Sequence, residues 1–74
     1  MHKFSWLIEW KEWNEETERY DLECDTWHKW DDVVRIFNDC ISDELCKGAT
    51  VYCFLDGEPY NGTGTDNIVL KYCP

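Results

Sequence analysis

The stretch Trp27-His28-Lys29-Trp30-Asp31-Asp32-Val33-Val34-Arg35-Ile36-Phe37-Asn38-Asp39-Cys40-Ile41 decides the fold class. Trp27, Trp30, Val33, Val34, Phe37, Cys40 and Ile41 recur at three- and four-residue steps, with Asp31, Asp32, Arg35, Asn38 and Asp39 between them. That is the period of an amphipathic helix with a wide apolar stripe. The spacing predicts a helix from Trp27 to about Cys46. Thr26 offers its hydroxyl to an orphan backbone N–H at the start, and Asp31 and Asp32 suit the positive end of the helix dipole. Lys47 and Gly48 mark the end, Gly48 as a left-handed cap, with Ser42-Asp43 a point where the last turn breaks.

Both flanks read as strand. From Lys3 to Trp13, Phe4, Trp6, Ile8 and Trp10 alternate with Ser5, Leu7, Glu9 and Lys11, so the even positions face the core. Leu7 and Trp13 remain on the other face, two large apolar groups on an otherwise charged surface. Either they form a contact site, or Leu7 lies under a neighbour and Trp13 packs on the turn. Asn14-Glu15-Glu16 connects a hairpin. The second strand, Thr17 to Asp25, sends Tyr20, Leu22 and Cys24 inward and Arg19, Asp21, Glu23 and Asp25 outward.

After the helix, Ala49 to Leu55 is a third strand whose near-continuous apolar character leaves its facing open. Asp56-Gly57 is a tight-turn pair. Asn61 to Asn67 holds two glycines and two threonines and reads as a loop, and Ile68, Leu70 and Tyr72 alternate with Val69, Lys71 and Cys73 in a last strand. The expectation is one α+β domain over residues 1–74, ββαββ, with a sheet of about four strands in the order 2-1-3-4. A right-handed crossover runs the third strand parallel to the second, and the helix lies across one face. The other face is open to solvent or to a partner.

Seventy-four residues, 43% of them hydrophobic and including five Trp, four Tyr and three Phe, suffice for a core one helix and one sheet thick. There is no room for a deep cleft behind a second layer. The formal charge is −9, from 16 acids against 7 Lys and Arg, and the isoelectric point is about 4.4. Such a field repels nucleic-acid phosphates and anionic membranes and draws in basic partners. No window has the length to cross a bilayer. Met1-His2-Lys3-Phe4 lacks the basic and apolar regions of a secretion signal. With five cysteines, an odd number, this points to free thiols in a reducing cytoplasm.

Tests for chemistry come back negative. Cys24-x-x-x-His28 and Cys40-x5-Cys46 offer four soft donors, but no pair has C-x-x-C spacing, and Cys24 and Cys40 fit inward positions. No metal and no cofactor are expected. A nucleophilic cysteine needs a base and an electropositive setting; only His2 and His28 are present, amid acid. Gly62 and Gly64 have no Lys and no helix N-terminus beside them to meet a phosphate. No catalytic residue is expected.

The acids carry the most information. Residues 9 to 32 hold Glu9, Glu12, Glu15, Glu16, Glu18, Asp21, Glu23, Asp25, Asp31 and Asp32 against Lys11, Arg19 and Lys29, or −7 of the −9. Asp21, Glu23 and Asp25 repeat at roughly 6.6 Å along one strand face, a pitch suited to imitating a phosphate backbone in an Arg/Lys groove. The alternatives are solubility and protection of an exposed edge strand from pairing. The Trp residues at strand and helix periods belong to the core; Trp13 and Tyr60 are the candidate interface anchors.

A cytosolic single domain of this size, a Glu/Asp-dense hairpin from Glu9 to Asp25, and a strand–helix layout ending in Ala49-Thr50-Val51-Tyr52 together resemble the small acidic proteins with which phages and mobile elements disarm bacterial defence, anti-CRISPR proteins included. The resemblance implies inhibition by stoichiometric binding, commonly at the basic nucleic-acid channel of a CRISPR effector subunit. The partner-binding residues expected on this reading are Glu9, Trp13, Glu15, Glu16, Asp21, Glu23 and Asp25. A second reading is a structural or assembly protein that forms a homodimer through its open sheet face or an edge strand; a third is a zinc or thiol protein.

Overall fold

Ile8, Val33 and Val51, one residue from each of three elements, are fully withdrawn from water and define where the helix meets the sheet. The computed structural model describes residues 3–60 and 67–73. Its elements are β1 (Phe4–Asn14), β2 (Arg19–Trp27), α1 (Trp30–Ser42), β3 (Cys46–Leu55), β4 (Glu58–Pro59) and β5 (Ile68–Tyr72). Of the expected glycine/threonine loop from Asn61 to Asn67, residues 61–66 lie outside the described residues, as does His2.

The class is α+β, with the expected strand order. β1 lies between β2 and β3 and pairs antiparallel with both, which runs β3 in the direction of β2. The far edge of β3 is shared: β4 pairs with Phe54 and Leu55, and β5 with Ala49 to Tyr52. Buried Asn67 sits where the two meet. Its backbone oxygen accepts from Cys53 N at 2.8 Å, and its Nδ2 donates to Cys53 O at 3.2 Å. That satisfies the Cys53 N–H, which would otherwise be stranded between two short partners, while Cys53 O accepts from Tyr60 N as well, at 3.0 Å.

Even positions of β1 do face the helix. Trp6 and Trp10 pack around Ile8, while Val33, Ile36, Phe37 and Cys40 supply the helix stripe. Ile36 is a member that the sequence pattern passed over, and Ile41 is 37% exposed. Ala49, Val51 and Cys53 are the buried residues of β3, which settles the facing left open by its composition. Each full burial of an Ile or Val stabilises the fold by about 1.5–3 kcal/mol. With three such side chains, the fold rests on few contacts.

Four local expectations are corrected. The helix begins at Trp30, not Trp27, because Trp27 stays in β2 opposite Trp6 and packs on the core. Cross-strand burial of an indole outweighs the propensity of a short polar cap. Thr26 is accordingly no cap; Lys29 occupies that position without a capping side chain. Secondly, the helix ends at Ser42 rather than near Cys46, and Lys47 and Gly48 already belong to β3.

Thirdly, Gly48 does have a left-handed backbone, φ 79°, but it serves a β-bulge rather than a helix cap. Trp10 pairs with Ala49 and Lys11 with Lys47, so Gly48 is the extra residue. Fourthly, the facing of β2 is opposite to that read from its alternation. Trp13 pairs with Tyr20, Lys11 with Leu22 and Glu9 with Cys24, and directly opposed side chains share a face. Tyr20, Leu22 and Cys24 therefore lie on the outer side of the sheet, exposed. Asp21, Glu23 and Asp25 lie on the helix side, opposite Glu12, Trp10 and Ile8.

Candidate functional site

The hairpin between β1 and β2 turns over residues 15–18. Asn14 organises it: Oδ1 accepts from Glu16 N at 2.9 Å, and Nδ2 donates to Asp21 Oδ2 at 2.8 Å. Glu18 takes φ 54° to close the turn. The asparagine thus bends the chain and anchors one carboxylate, an arrangement its short amide favours.

This turn gathers the acids. Glu12, Glu15, Glu16, Asp21 and Glu23 surround one shallow depression of about 430 Å³, together with Trp13 and Asn14. Helix α1 does not cover this end of the sheet, so carboxylates on the helix side remain in water: Glu12 and Glu23 are exposed and Asp21 half-buried. Among the described residues, none of them stands in an ion pair; the exposed Arg35–Asp32 contact at 3.5 Å is on the helix.

Of the seven residues expected to bind a partner, Trp13, Glu15, Glu16, Asp21 and Glu23 line this depression. Asp25 shares the face of Asp21 and Glu23, further along β2 and opposite Ile8. Glu9 lies on the opposite face, paired with Cys24 on one side and Thr50 on the other. Trp13 is half-buried, its ring edge-to-face with Tyr20 at 5.2 Å, so it is a braced platform rather than a free anchor. Tyr60 meets Phe4 edge-to-face at 5.5 Å, away from the hairpin end. Glu12 was missed. Its even position in β1, in line with Trp6, Ile8 and Trp10, was the available signal.

The outer face differs in kind. Lys11 and Lys47 are cross-strand partners, and Lys71 pairs with Thr50 one row further. Lys47 Nζ sits 5.4 Å from the centre of the Tyr20 ring. With Glu9, Leu22 and Thr50, the residues Lys11, Tyr20 and Lys47 border a groove of about 470 Å³. These lysines are on the wrong side of the sheet to neutralise the acids of the depression.

The thiols divide by location. Cys24 and Cys73 are exposed, whereas Cys40 and Cys53 are buried. The sheet lies between Cys24 and Cys40, so the set Cys24, His28, Cys40 and Cys46 is not brought together. Burial pushes the Cys46 thiol from 9.0 up to about 11, with Asp43 reinforcing it. Cys40 is also raised by burial, partly offset by its hydrogen bond from Cys46, and burial raises Cys53. All three stay protonated near neutrality and are poor nucleophiles. Among the described residues, no helix is long and apolar enough to cross a membrane. No protein-family model matches the chain, and comparison with curated proteins and with solved structures gives no match either.

Proposed function

We propose that this chain is a non-enzymatic binding protein that presents its acidic hairpin end to a basic, nucleic-acid-binding surface of another protein, in the manner of a phage inhibitor of a CRISPR effector. The observation that supports this reading is the convergence of Glu12, Glu15, Glu16, Asp21 and Glu23 on one depression, without ion-pair partners among the described residues. Lys11 and Lys47 lie across the sheet from these carboxylates, and Arg19, which shares their strand face, makes no ion pair with them among the described residues. Their field is left for a partner and favours fast, salt-sensitive association. Trp13, braced by Tyr20, adds apolar area at the margin. The partner is a protein; the negative field disfavours direct nucleic-acid or membrane contact, and the host-cell cytosol is where such an inhibitor acts.

The test is capture of partners by the tagged protein from bacteria carrying CRISPR systems, then competition between the protein and target DNA for the purified effector. Binding should release the DNA and weaken as salt rises. The combined change Asp21→Lys, Glu23→Lys and Asp25→Lys should lower affinity on the order of 100-fold, from about 1 kcal/mol per exposed charge, with an unchanged circular dichroism spectrum. Affinity within about twofold of the parent would leave the acids as solubilising groups.

A homodimer through the outer face is the second reading, favoured by Leu22, 64% exposed beside Tyr20 at 42%. Sedimentation of the isolated protein separates the two, since a stable dimer in the absence of partner favours assembly.

A further inference from the structure

Three chain segments meet on the helix side of the sheet where α1 ends and β3 begins. Glu12 of β1 is the cross-strand partner of Cys46 of β3. Asp43 directly follows the helix. A carboxylate oxygen from Glu12, one from Asp43 and Cys46 Sγ all lie within 4.8 Å of one another. Cys40, buried on the last turn of the helix, is tied to the same corner through its backbone, its carbonyl oxygen accepting from Asp43 N at 3.4 Å. We propose that this corner binds a thiophilic divalent cation of the zinc class, with Glu12, Asp43 and Cys46 as its protein ligands and the fourth position left to water.

The donor set selects the class of ion. Calcium and magnesium take oxygen donors, six or more in number, and leave thiols alone. One thiol with two carboxylates suits a tetrahedral ion that accepts both sulfur and oxygen. On such an ion, with bonds of about 2.0–2.3 Å, neighbouring donors stand roughly 3.5 Å apart. Closing from 4.8 Å needs about an ångström, within reach of side-chain rotation by the exposed Glu12 and Asp43. The Cys46 thiol gives its proton to the buffer as the sulfur–metal bond forms.

The backbone already holds the ligands in place. Asp43 O accepts from Cys46 N at 3.1 Å, and Asp43 Oδ1 accepts from Leu45 N at 2.9 Å. This tight turn aims the Asp43 carboxylate and the Cys46 thiol the same way and leaves Oδ2 for an ion. The Gly48 bulge supplies the rest. By shifting the register between Trp10 and Lys11 it turns Cys46 to the helix side and Lys47 to the outer side. Without that extra residue an ammonium group would point into the corner. The site needs no partner protein; it shares Glu12 with the acidic depression, and its test reads metal binding without any partner.

The experiment uses the full chain, reduced and metal-free, titrated with Co(II) and then with Zn(II). The expected result is one Co(II) per chain, with thiolate-to-metal charge transfer and the visible bands of tetrahedral cobalt, both removed by zinc, and a raised Tm with zinc. Cys24→Ser with Cys73→Ser should leave the spectrum intact. Cys46→Ser should abolish its charge-transfer band. Should Cys46→Ser fail to fold, the exposed positions serve instead: Glu12→Gln or Asp43→Asn should weaken binding about tenfold or more, with an unchanged circular dichroism spectrum. Three results would overturn the site: no cobalt bound at micromolar concentration, a spectrum lost with Cys24 and Cys73, or affinity unmoved by Glu12→Gln and Asp43→Asn together.

Discussion

Glu12, Asp21 and Glu23 stand on the helix side of the hairpin and line the depression at its turn end, with Asp25 further along the same face opposite Ile8. One residue along the same two strands, on the outer side, stand Lys11, Tyr20 and Leu22, with Lys47 over the Tyr20 ring. The two faces share every backbone hydrogen bond between β1 and β2 but differ in balance, acids prevailing on one and lysines with apolar groups on the other. A charge of −9 is thus not a uniform coat. It is sorted by the two-residue period of the strands, and a one-residue slip in pairing would exchange the faces wholesale. Pairing register is therefore the variable on which the acidic depression and the lysine groove both depend.

The largest expected effect comes from removing what the two faces have in common. Ile8→Ala, at a side chain with no exposure, should cost about 2–5 kcal/mol, read as a lower urea midpoint. A loss below about 1 kcal/mol would mean that the sheet does not depend on this packing. Next comes the contrast between faces in partner binding. Where reversing Asp21, Glu23 and Asp25 lowers affinity on the order of 100-fold, Lys11→Glu with Lys47→Glu should change it by less than about twofold. Comparable losses from both would show that total charge matters and its location does not.

Gly48→Ala should cost about 1–2 kcal/mol, because an L side chain is strained at φ 79°. It should also loosen the pairing at Cys46 and Lys47, seen as faster amide exchange at that end of β3. Unchanged stability and exchange would mean that the bulge does not need glycine. The smallest effect is alkaline. In reduced, metal-free protein the Cys46 thiol titrates at about 11 when folded against 9.0 as a free thiol. A raised value means its stabilising contribution is complete below pH 9.0 and declines as pH rises towards 11. Cys46→Ser should flatten that part of the urea midpoint profile; an equally steep decline would assign it to another group.

The sequence was legible where one element's own period carries the information. The helix stripe through Val33, Phe37 and Cys40, the inward Trp6, Ile8 and Trp10, and the strand order could all be read from spacing and crossover handedness. So could the presence of acid in the hairpin. Its direction could not. In β2 the apolar alternation of Tyr20, Leu22 and Cys24 pointed inward, yet pairing with Trp13, Lys11 and Glu9 turned them out. Likewise Lys47-Gly48 has the composition of a helix end and became a bulge.

Local composition and period thus established an α+β chain with one amphipathic helix, a central first strand and an acid-rich hairpin, because periodicity is a property of each segment alone. Tertiary structure decided which carboxylates converge, that Glu12 joins them, and that Glu12, Asp43 and Cys46 meet at one corner. Those outcomes follow from a turn closed at Glu18, an indole of Trp27 held opposite Trp6, and one extra residue at Gly48. Each is a long-range choice of register, and register is set by which side chains can be buried together, a quantity that neither strand contains until it has a neighbour.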